Sequence, residues 1–197
     1  MKDNMNWLHH HRPGATARRQ RGFTLIELMI AVFLSAIVLS LAVPSFRTIL
    51  QNNRQVTRLN DLVTDLAYAR SEAVRRGVAV IICPRDANGD GVVDVSAGGG
   101  SCPASTDWSS GWVIYFDEDG DSALADADDI LRVYLSQASG LALTYSRNSI
   151  RYNAQGLAIG FAGTFTLCDD RGADYPRGRV VNNTGRVSEV SGGLSCS

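Results

Sequence analysis

The sequence predicts an α+β fold, in which a long N-terminal α-helix packs on a head made of an antiparallel β-sheet or sandwich. Residues 23–43 form an apolar run with a single charge, Glu27. Residues 45–76 continue at helical spacing without a glycine or proline, and from residue 78 the apolar period becomes that of strands. We therefore expect three regions: a basic N-terminal segment (1–22), a helix (23–76, with 23–43 as its transmembrane half) and a β-rich head (77–197).

Charge is distributed unevenly along the 197 residues. Residues 1–22 carry five basic residues against one acid, whereas the head carries eight arginines against fifteen acids, a net charge of −7. Such a head is not a general polyanion binder, and a nucleic-acid contact would need a local arginine cluster. All three histidines lie at positions 9–11, and the sequence has neither a Gly-x-Ser-x-Gly motif nor a P-loop. We therefore do not expect an enzyme.

The apolar run is long enough to cross a membrane, since its 21 residues match the length of a spanning helix. Arg18, Arg19 and Arg21 precede it, so the positive-inside rule places its start on the cytoplasmic side. A carboxylate within such a span raises the free energy of membrane insertion by roughly 2.5 kcal/mol or more. The presence of Glu27 therefore indicates a functional role for this residue. Pro44 predicts a kink, which need not end the helix.

The second half of the predicted helix is amphipathic. Apolar residues recur at steps of three and four, which predicts a face packed on a core: Leu59, Leu62, Val63, Leu66, Ala69, Ala73 and Val74. We expect the charged residues largely on the opposite face: Arg54, Arg58, Asp61, Asp65 and Arg75. Gly77 follows Arg76 and is suited to end the helix. Unbroken from Phe23 to Arg76, the helix would be roughly 80 Å long.

The sequence of the head predicts short strands that are separated by Gly, Asn, Asp and Ser, with no helical stretch between them. The predicted strands are 78–83, 111–117, 130–135, 141–145, 149–153, 157–168, 177–182 and 184–190. Such a series favours an antiparallel sheet or small sandwich lying on the amphipathic half-helix. Residues 84–110 form a long loop rich in Gly, Ser and Asp. Trp108 and Trp112 are most simply aromatic residues of the core or of a strand edge.

Four cysteines follow the apolar run, at positions 83, 102, 168 and 196, and none forms a Cys-x-x-Cys pair. An even number of widely spaced cysteines favours disulfide bonds in an oxidising compartment over a zinc site. Three pairings are open, and short loops close most easily. We therefore favour Cys83–Cys102 and Cys168–Cys196.

The stretch RGFTLIELM, residues 21–29, resembles the class III signal of type IV pilins and type II secretion pseudopilins. The resemblance implies that a prepilin peptidase removes residues 1–22 by cutting between Gly22 and Phe23, and N-methylates Phe23. Glu27 would then be the fifth residue of the mature chain. In that family this acid neutralises the terminal amine of a neighbouring subunit, and the helix bends at a proline that matches Pro44.

A rival processing model remains open. The run ends in Ser40-Leu41-Ala42, a small-residue site at which an ordinary secretory signal could be cut. That cut would release a periplasmic protein beginning at Val43. The mature N-terminus distinguishes the two models.

Two further stretches, LAYARSEAVRRGVAVIIC (66–83) and WSSGWVIYFDEDGD (108–121), resemble the GspH/FimT (FimU) family of minor pilins and pseudopilins. The resemblance implies a single-pass inner-membrane subunit with a periplasmic head, which initiates or caps a type IV pilus or type II secretion pseudopilus with other pilins. Two alternatives stay open. The chain could be a DNA-uptake receptor that binds double-stranded DNA in natural transformation, or a secretion tip subunit that contacts exoprotein.

Two acidic turns raise the question of calcium, the one cofactor that the sequence suggests. The first contains Asp86, Asn88, Asp90, Gly91 and Asp94 but has Ala97 at position twelve. The second contains Asp117, Asp119 and Asp121, with Asp128 at position twelve but no glycine at position six. Neither has the full EF-hand pattern, and solvated turns use the same residues to bond their own backbone.

Four arginines near the C-terminus form the candidate DNA contact: Arg171, Arg177, Arg179 and Arg186. Some FimT-type proteins resembling this chain bind DNA through a Gly-Arg-x-Arg motif. Gly178-Arg179 and Gly185-Arg186 each lack the second arginine, and nearby acids dilute the positive charge. Phosphate contact needs several cations close together.

Overall fold

A computed structural model describes residues 22–85, 100–124, 129–136, 140–190 and 192–196. It comprises two compact units, one ending at Phe46 and one beginning at Arg47. Helix α1 (Leu25–Arg76) begins in the first unit and ends in the second, with Pro44 inside it. This helix is long and apolar enough to cross a membrane. The side chains of residues 22–50 are exposed in this structure.

Both ends of α1 have recognisable caps. The Thr24 hydroxyl accepts a hydrogen bond from the Glu27 N–H, at 3.3 Å, which satisfies one of the free donors of the first turn. At the other end, Gly77 has a φ of +72° and its N–H bonds the carbonyl of Ala73 at 3.0 Å. Glycine adopts this left-handed conformation without a Cβ penalty, so the helix stops there.

The described part of the head contains two four-stranded antiparallel sheets and a two-stranded ribbon. The strands are β1 (Ala79–Pro84), β2 (Gly100–Ser101), β3 (Gly111–Asp117), β4 (Ala123–Leu124), β5 (Ile130–Leu135), β6 (Leu141–Tyr145), β7 (Ile150–Tyr152), β8 (Gly163–Asp169), β9 (Arg177–Val181) and β10 (Val187–Val190). The first sheet has the order β5-β3-β1-β7 and the second has the order β10-β9-β8-β6. The ribbon pairs β2 with β4.

The main core lies between the second half of α1 and both sheets. Leu59, Leu62 and Leu66 of the helix are buried among aromatic residues of the strands and loops. Trp108 is the centre of this packing: its ring meets Phe165 edge-on, with the centroids 5.1 Å apart. The buried members from the strands include Val80, Ile82, Trp112, Ile114, Leu143, Tyr145, Ile150, Tyr152, Phe165, Leu167 and Val181. The α+β architecture predicted from the sequence is confirmed.

A smaller core cluster is built from residues of β1, β3 and β4. It consists of Ile81, Cys83, Val113, Tyr115 and Leu124. Residues that alternate along β1 and β3 therefore serve two different clusters, which explains why both strands are almost continuously apolar. The disulfide bond Cys83–Cys102 lies at this cluster, and Cys168–Cys196 joins β8 to the C-terminal segment. These are the two pairs that short loops favour.

Two charged residues of α1 do not lie where the amphipathic pattern predicts. The pattern predicts Arg58 and Asp65 on the exposed face, but they are only 4% and 3% exposed. Arg58 donates to the carbonyl groups of Trp108 and Ser109 at 3.3 and 3.1 Å. Its guanidinium also lies against the Trp112 ring, 4.7 Å from the centroid. These carbonyl and aromatic partners replace part of the lost water, and Nη1 of Arg58 is buried without a hydrogen-bond partner among the described residues.

The predicted strand 157–168 is shorter in the structure, where β8 begins only at Gly163. Asn153 ends the preceding strand by accepting the N–H groups of Gln155 and Leu157 in a turn. A second turn bonds the N–H of Phe161 to the carbonyl of Ala158. Ala158 and Phe161 pack on the core without joining a sheet, whereas Ile159 between them is exposed. The two-residue strands β2 and β4 were not predicted.

Candidate functional sites

The predicted cleavage point lies at the exposed start of α1. Gly22 and Phe23 precede the helix, and Phe23 is 84% exposed. Glu27 lies in the first turn, where its backbone N–H bonds Thr24. The partial positive charge of a helix N-terminus favours a carboxylate at this position. A cut after Gly22 would create an amine on Phe23, one residue before the cap and four residues before Glu27.

The second acidic turn connects β3 to β4, and its carboxylates organise the turn itself. Asp117, Asp119 and Asp121 each offer a carboxylate oxygen, and these oxygens lie within 4.8 Å of one another. Oδ1 of the buried Asp117 accepts the N–H groups of Gly120 and Ser122, at 3.0 and 3.3 Å. Asp119 accepts the Asp121 N–H, and Asp121 accepts the Ala123 N–H.

A guanidinium group already neutralises the buried carboxylate of this turn. Arg151 Nη1 lies 2.6 Å from Asp117 Oδ2, without the alignment of a hydrogen bond, and donates to the Ser122 hydroxyl at 2.5 Å. The Arg151 guanidinium therefore occupies the Oδ2 side of Asp117, which the backbone N–H groups of the turn do not contact. Asp128 and the whole first acidic turn, residues 86–97, lie outside the described residues.

The four C-terminal arginines do not form one patch. Arg171 pairs with Asp169 at 2.5 Å and donates to Asn52, whereas Arg177 donates to Gln55 at 3.1 Å. Burial alone would raise the pKa of Asp169, but the hydrogen bonds and charge of Arg171 outweigh it, so the pKa is lowered. These contacts show that Arg171 and Arg177 stabilise the packing of the head on α1.

The other two arginines lie elsewhere. Arg179 pairs with Glu189 across β9 and β10, at 3.3 Å. Arg186 lies at the far end of that hairpin, beside Arg70 of α1. The helix rises about 22 Å over the fifteen residues from Gln55 to Arg70, so Arg186 is well separated from Arg171 and Arg177. Sequence reasoning missed Arg70 as a neighbour of this hairpin, because the hairpin residues beside it, Gly185 and Arg186, come more than one hundred positions later in the chain.

Comparison with protein families assigns the chain. Residues 58–185 match the family model described as Type II transport protein GspH. The chain belongs to the GspH family. Residues 17–43 of this GspH-family protein also match the prokaryotic N-terminal methylation motif. The match spans the Gly22–Phe23 junction, Glu27 and the apolar run, and the chain is therefore a GspH/FimT-type minor pilin or pseudopilin with a prepilin signal.

A solved structure shares the fold of this GspH-family protein. A crystal structure of the type IV minor pilin FimU from Pseudomonas aeruginosa, in space group P21, is 21% identical with a TM-score of 0.55. The match covers 75% of this chain and 98% of that chain. A second FimU crystal form, in space group P65, is 22% identical over 70% of this chain and 96% of its own, with a TM-score of 0.49. The P21 match shows that the fold is that of a type IV pilin. No curated protein matches the chain.

Proposed function

We propose that this GspH-family protein is a low-abundance subunit that initiates or caps a type IV pilus or a type II secretion pseudopilus. The observation that carries the proposal is the position of Glu27. It is the one charge in the apolar run, and it lies in the first helical turn after the predicted Gly22–Phe23 cut. The second half of the helix that bears it packs on the core of the head, so one element serves both assembly and folding.

The proposed mature protein is a single-pass inner-membrane subunit with its head in the periplasm. Arg18, Arg19 and Arg21 favour a cytoplasmic start for the helix. The two disulfide bonds of the head suit an oxidising compartment on the other side. A prepilin peptidase would cut after Gly22 and methylate Phe23.

The proposed assembly step follows from the cost of an isolated charge in an apolar medium. In the membrane, the carboxylate of Glu27 has only the helix N-terminus to stabilise it. In a fibre, the terminal amine of a neighbouring subunit would lie within reach and neutralise it. A pair of opposite charges in an apolar surrounding favours docking in one register, because any other register leaves both charges unpaired.

Two measurements test this function. Mass spectrometry of the protein purified from its host should find N-methylated Phe23 as the first residue, whereas a chain beginning at Val43 would refute the prepilin model. Replacing Glu27 with Ala or Gln should leave the protein in the membrane fraction at wild-type level. It should deplete the protein at least tenfold from sheared fibres. Leu28→Ala is the matched control and should assemble normally.

Deleting the gene and then measuring both surface fibres and exoprotein release distinguishes a type IV pilus subunit from a type II secretion subunit. A pilus subunit is needed for surface fibres, and a pseudopilus subunit is needed for release of exoproteins into the medium. The DNA-receptor alternative receives no comparable support, because three of its four arginines already bind Asp169, Gln55 and Glu189 of the same chain. A gel shift at low salt with Arg179→Ala and Arg186→Ala tests it, and loss of the shift would revive it.

A further inference from the structure

A groove of about 580 Å³ lies between α1 and the hairpin formed by β9 and β10. Val63, Ala67 and Val74 of the helix and Val187 of β10 form its apolar surface. Val74 is 55% exposed, although it lies next to the core and follows its helical spacing. Three arginines lie around these residues: Arg70, Arg75 and Arg186.

One side of the groove is the edge of a sheet. β10 is the outermost strand of the second sheet, and in the described residues it pairs only with β9. The Asn182 N–H bonds the carbonyl of Arg186 at 3.1 Å, and Val187 lies opposite Val181 in the register that follows. In an antiparallel pair this alternation directs the backbone groups of Val187 and Glu189 away from β9. Such an edge can accept another extended strand.

Arg186 is the cation available to an incoming group. Arg70 donates to the carbonyl of Gly156 at 2.9 Å, and Arg75 pairs with Glu72 at 2.5 Å. Within the described part of the chain, the guanidinium of Arg186 has no hydrogen-bond or ion-pair partner. A carboxylate beside the groove would therefore find one unpaired cation and two partly satisfied ones.

The end of the groove has a fixed shape. Gly185 has a φ of +75°, and a Cβ on it would lie 2.2 Å from the carbonyl oxygen of Gly156. The two turns that contain these glycines therefore meet without a side chain between them, and the Gly156 carbonyl holds Arg70 in place. A preformed surface lowers the ordering cost of binding.

We propose that this groove binds an extended peptide segment of another protein, in which apolar residues alternate with acidic ones. The segment pairs with β10, its apolar side chains cover Val63, Ala67 and Val74, and a carboxylate pairs with Arg186. A nucleic acid fits less well, because the surface is apolar and Arg186 is the one cation beside it without a partner among the described residues. The inference rests on the groove alone and does not depend on the proposed role in a fibre.

The test uses the full chain in detergent and a fluorescein-labelled peptide, Glu-Val-Thr-Val-Asp-Val-Thr-Val-Glu. Fluorescence anisotropy should detect binding of this peptide and at least tenfold weaker binding of a version with Lys in place of each acid. Ala67→Trp fills the groove and Arg186→Glu reverses its charge, so each should weaken binding at least tenfold. Thr57→Trp and Arg54→Glu are matched exposed substitutions on α1, at least six residues before the groove, and should change it less than twofold.

Hydrogen exchange gives an independent readout, since strand pairing should slow exchange of the Val187 and Glu189 amides when the acidic peptide is added. Thermal unfolding of each variant identifies any that fails to fold. No binding of the acidic peptide at millimolar concentration overturns the proposal, and so does binding that Ala67→Trp leaves unchanged. Binding of a labelled 20-base-pair DNA duplex that Arg186→Glu abolishes, with no binding of the acidic peptide, would assign the groove to nucleic acid instead.

Discussion

The indole of Trp112 donates a hydrogen bond from Nε1 to Oδ2 of Asp65 at 2.8 Å, in the interior of the head. Trp112 belongs to β3 and Asp65 to α1, and both are buried. Arg132 of β5 forms an ion pair with the other carboxylate oxygen of Asp65. One carboxylate therefore connects the helix to two strands of the first sheet.

Replacing Asp65 with Ala should lower the free energy of unfolding by about 2–4 kcal/mol, because a buried N–H and a cation both lose their partner. Urea unfolding of the full chain in detergent, followed by tryptophan fluorescence, measures the change. Asp61→Ala is the control: Asp61 accepts the Tyr134 hydroxyl at a half-buried position that water can reach, so its loss should cost about 1 kcal/mol or less. Equal losses of unfolding free energy for the two variants would show that the Trp112–Asp65 hydrogen bond contributes no more to stability than the half-buried Tyr134–Asp61 bond.

The stability of the end of α1 should depend on pH through Glu72. Hydrogen bonds from Arg75, and then from Arg76, lower the pKa of Glu72 below its usual value of 4.5. Because the pKa is depressed in the folded state, this stabilisation is present above about pH 4.5 and is lost as the pH falls through the lower folded value.

Glu72→Gln should therefore flatten the fall in melting temperature between pH 5 and pH 3, and should destabilise the protein at pH 7. Glu118→Gln, at an exposed position of the acidic turn, controls for the loss of one negative charge. If the melting temperature of Glu72→Gln depends on pH in the same way as that of the wild type, Glu72 is not the group responsible for the loss of stability in acid.

The elements that the sequence predicts correctly are those with strong local signals. The end of the helix at Gly77 can be predicted from one glycine, and the strand Gly111–Asp117 can be predicted from its run of apolar, β-favouring residues between turn residues. The burial of Arg58 and Asp65 could not be predicted in this way, because a charge on an amphipathic helix is ordinarily exposed. Their partners, Trp108 and Trp112, come from sequence positions about fifty residues later, and only the folded chain brings them together.

The same distinction holds for the sites. The processing motif around Gly22, Phe23 and Glu27 is contiguous, so it can be recognised in a single sequence. The arginine cluster is near in sequence but not in space. Arg179 and Arg186 lie at different heights of one hairpin, and Arg171 and Arg177 bind the helix near Asn52 and Gln55. The groove beside β10 has no sequence motif, since it is formed by one face of a helix and the edge of a sheet.

Gly111 should be the least replaceable of the head glycines that the structure describes. Its φ is +117°, and a Cβ would lie 2.0 Å from the carbonyl oxygen of Tyr134 on the paired strand β5. Gly111→Ala should cost roughly 3 kcal/mol of unfolding free energy, since it combines backbone strain with a clash against backbone atoms.

Gly77→Ala separates the two causes. Gly77 also has a positive φ, +72°, but nothing lies within 4 Å of its missing Cβ. The loss there should be about 1 kcal/mol, from conformation alone. Similar losses at both positions, measured by urea unfolding, would mean that β5 moves to relieve the clash.

Both disulfide bonds should stabilise the head. They close loops with sequence separations of 19 and 28 residues, and restricting such loops in the unfolded chain contributes about 3 kcal/mol each. Cys83→Ser with Cys102→Ser, and Cys168→Ser with Cys196→Ser, should each lower the melting temperature by several degrees. A reducing agent should then lower each double variant less than the wild type. An unchanged melting temperature in either double variant would contradict the prediction for that bond.

Asp117 should stabilise the head without any bound cation. Its Oδ1 accepts two backbone N–H groups of the turn, and its Oδ2 faces Arg151 at 2.6 Å. Asp117→Asn keeps the size of the side chain but removes the charge that Arg151 needs, so we expect a loss of about 2 kcal/mol in the presence of EDTA. Asp119→Asn, in the exposed part of the turn, should cost less than about 0.5 kcal/mol.

Repeating the thermal unfolding of both variants in calcium distinguishes an ion pair with Arg151 from a calcium site. A loss for Asp117→Asn that appears only with calcium, together with a calcium-dependent rise for the wild type, would make the turn a cation site and refute the ion pair as its main role.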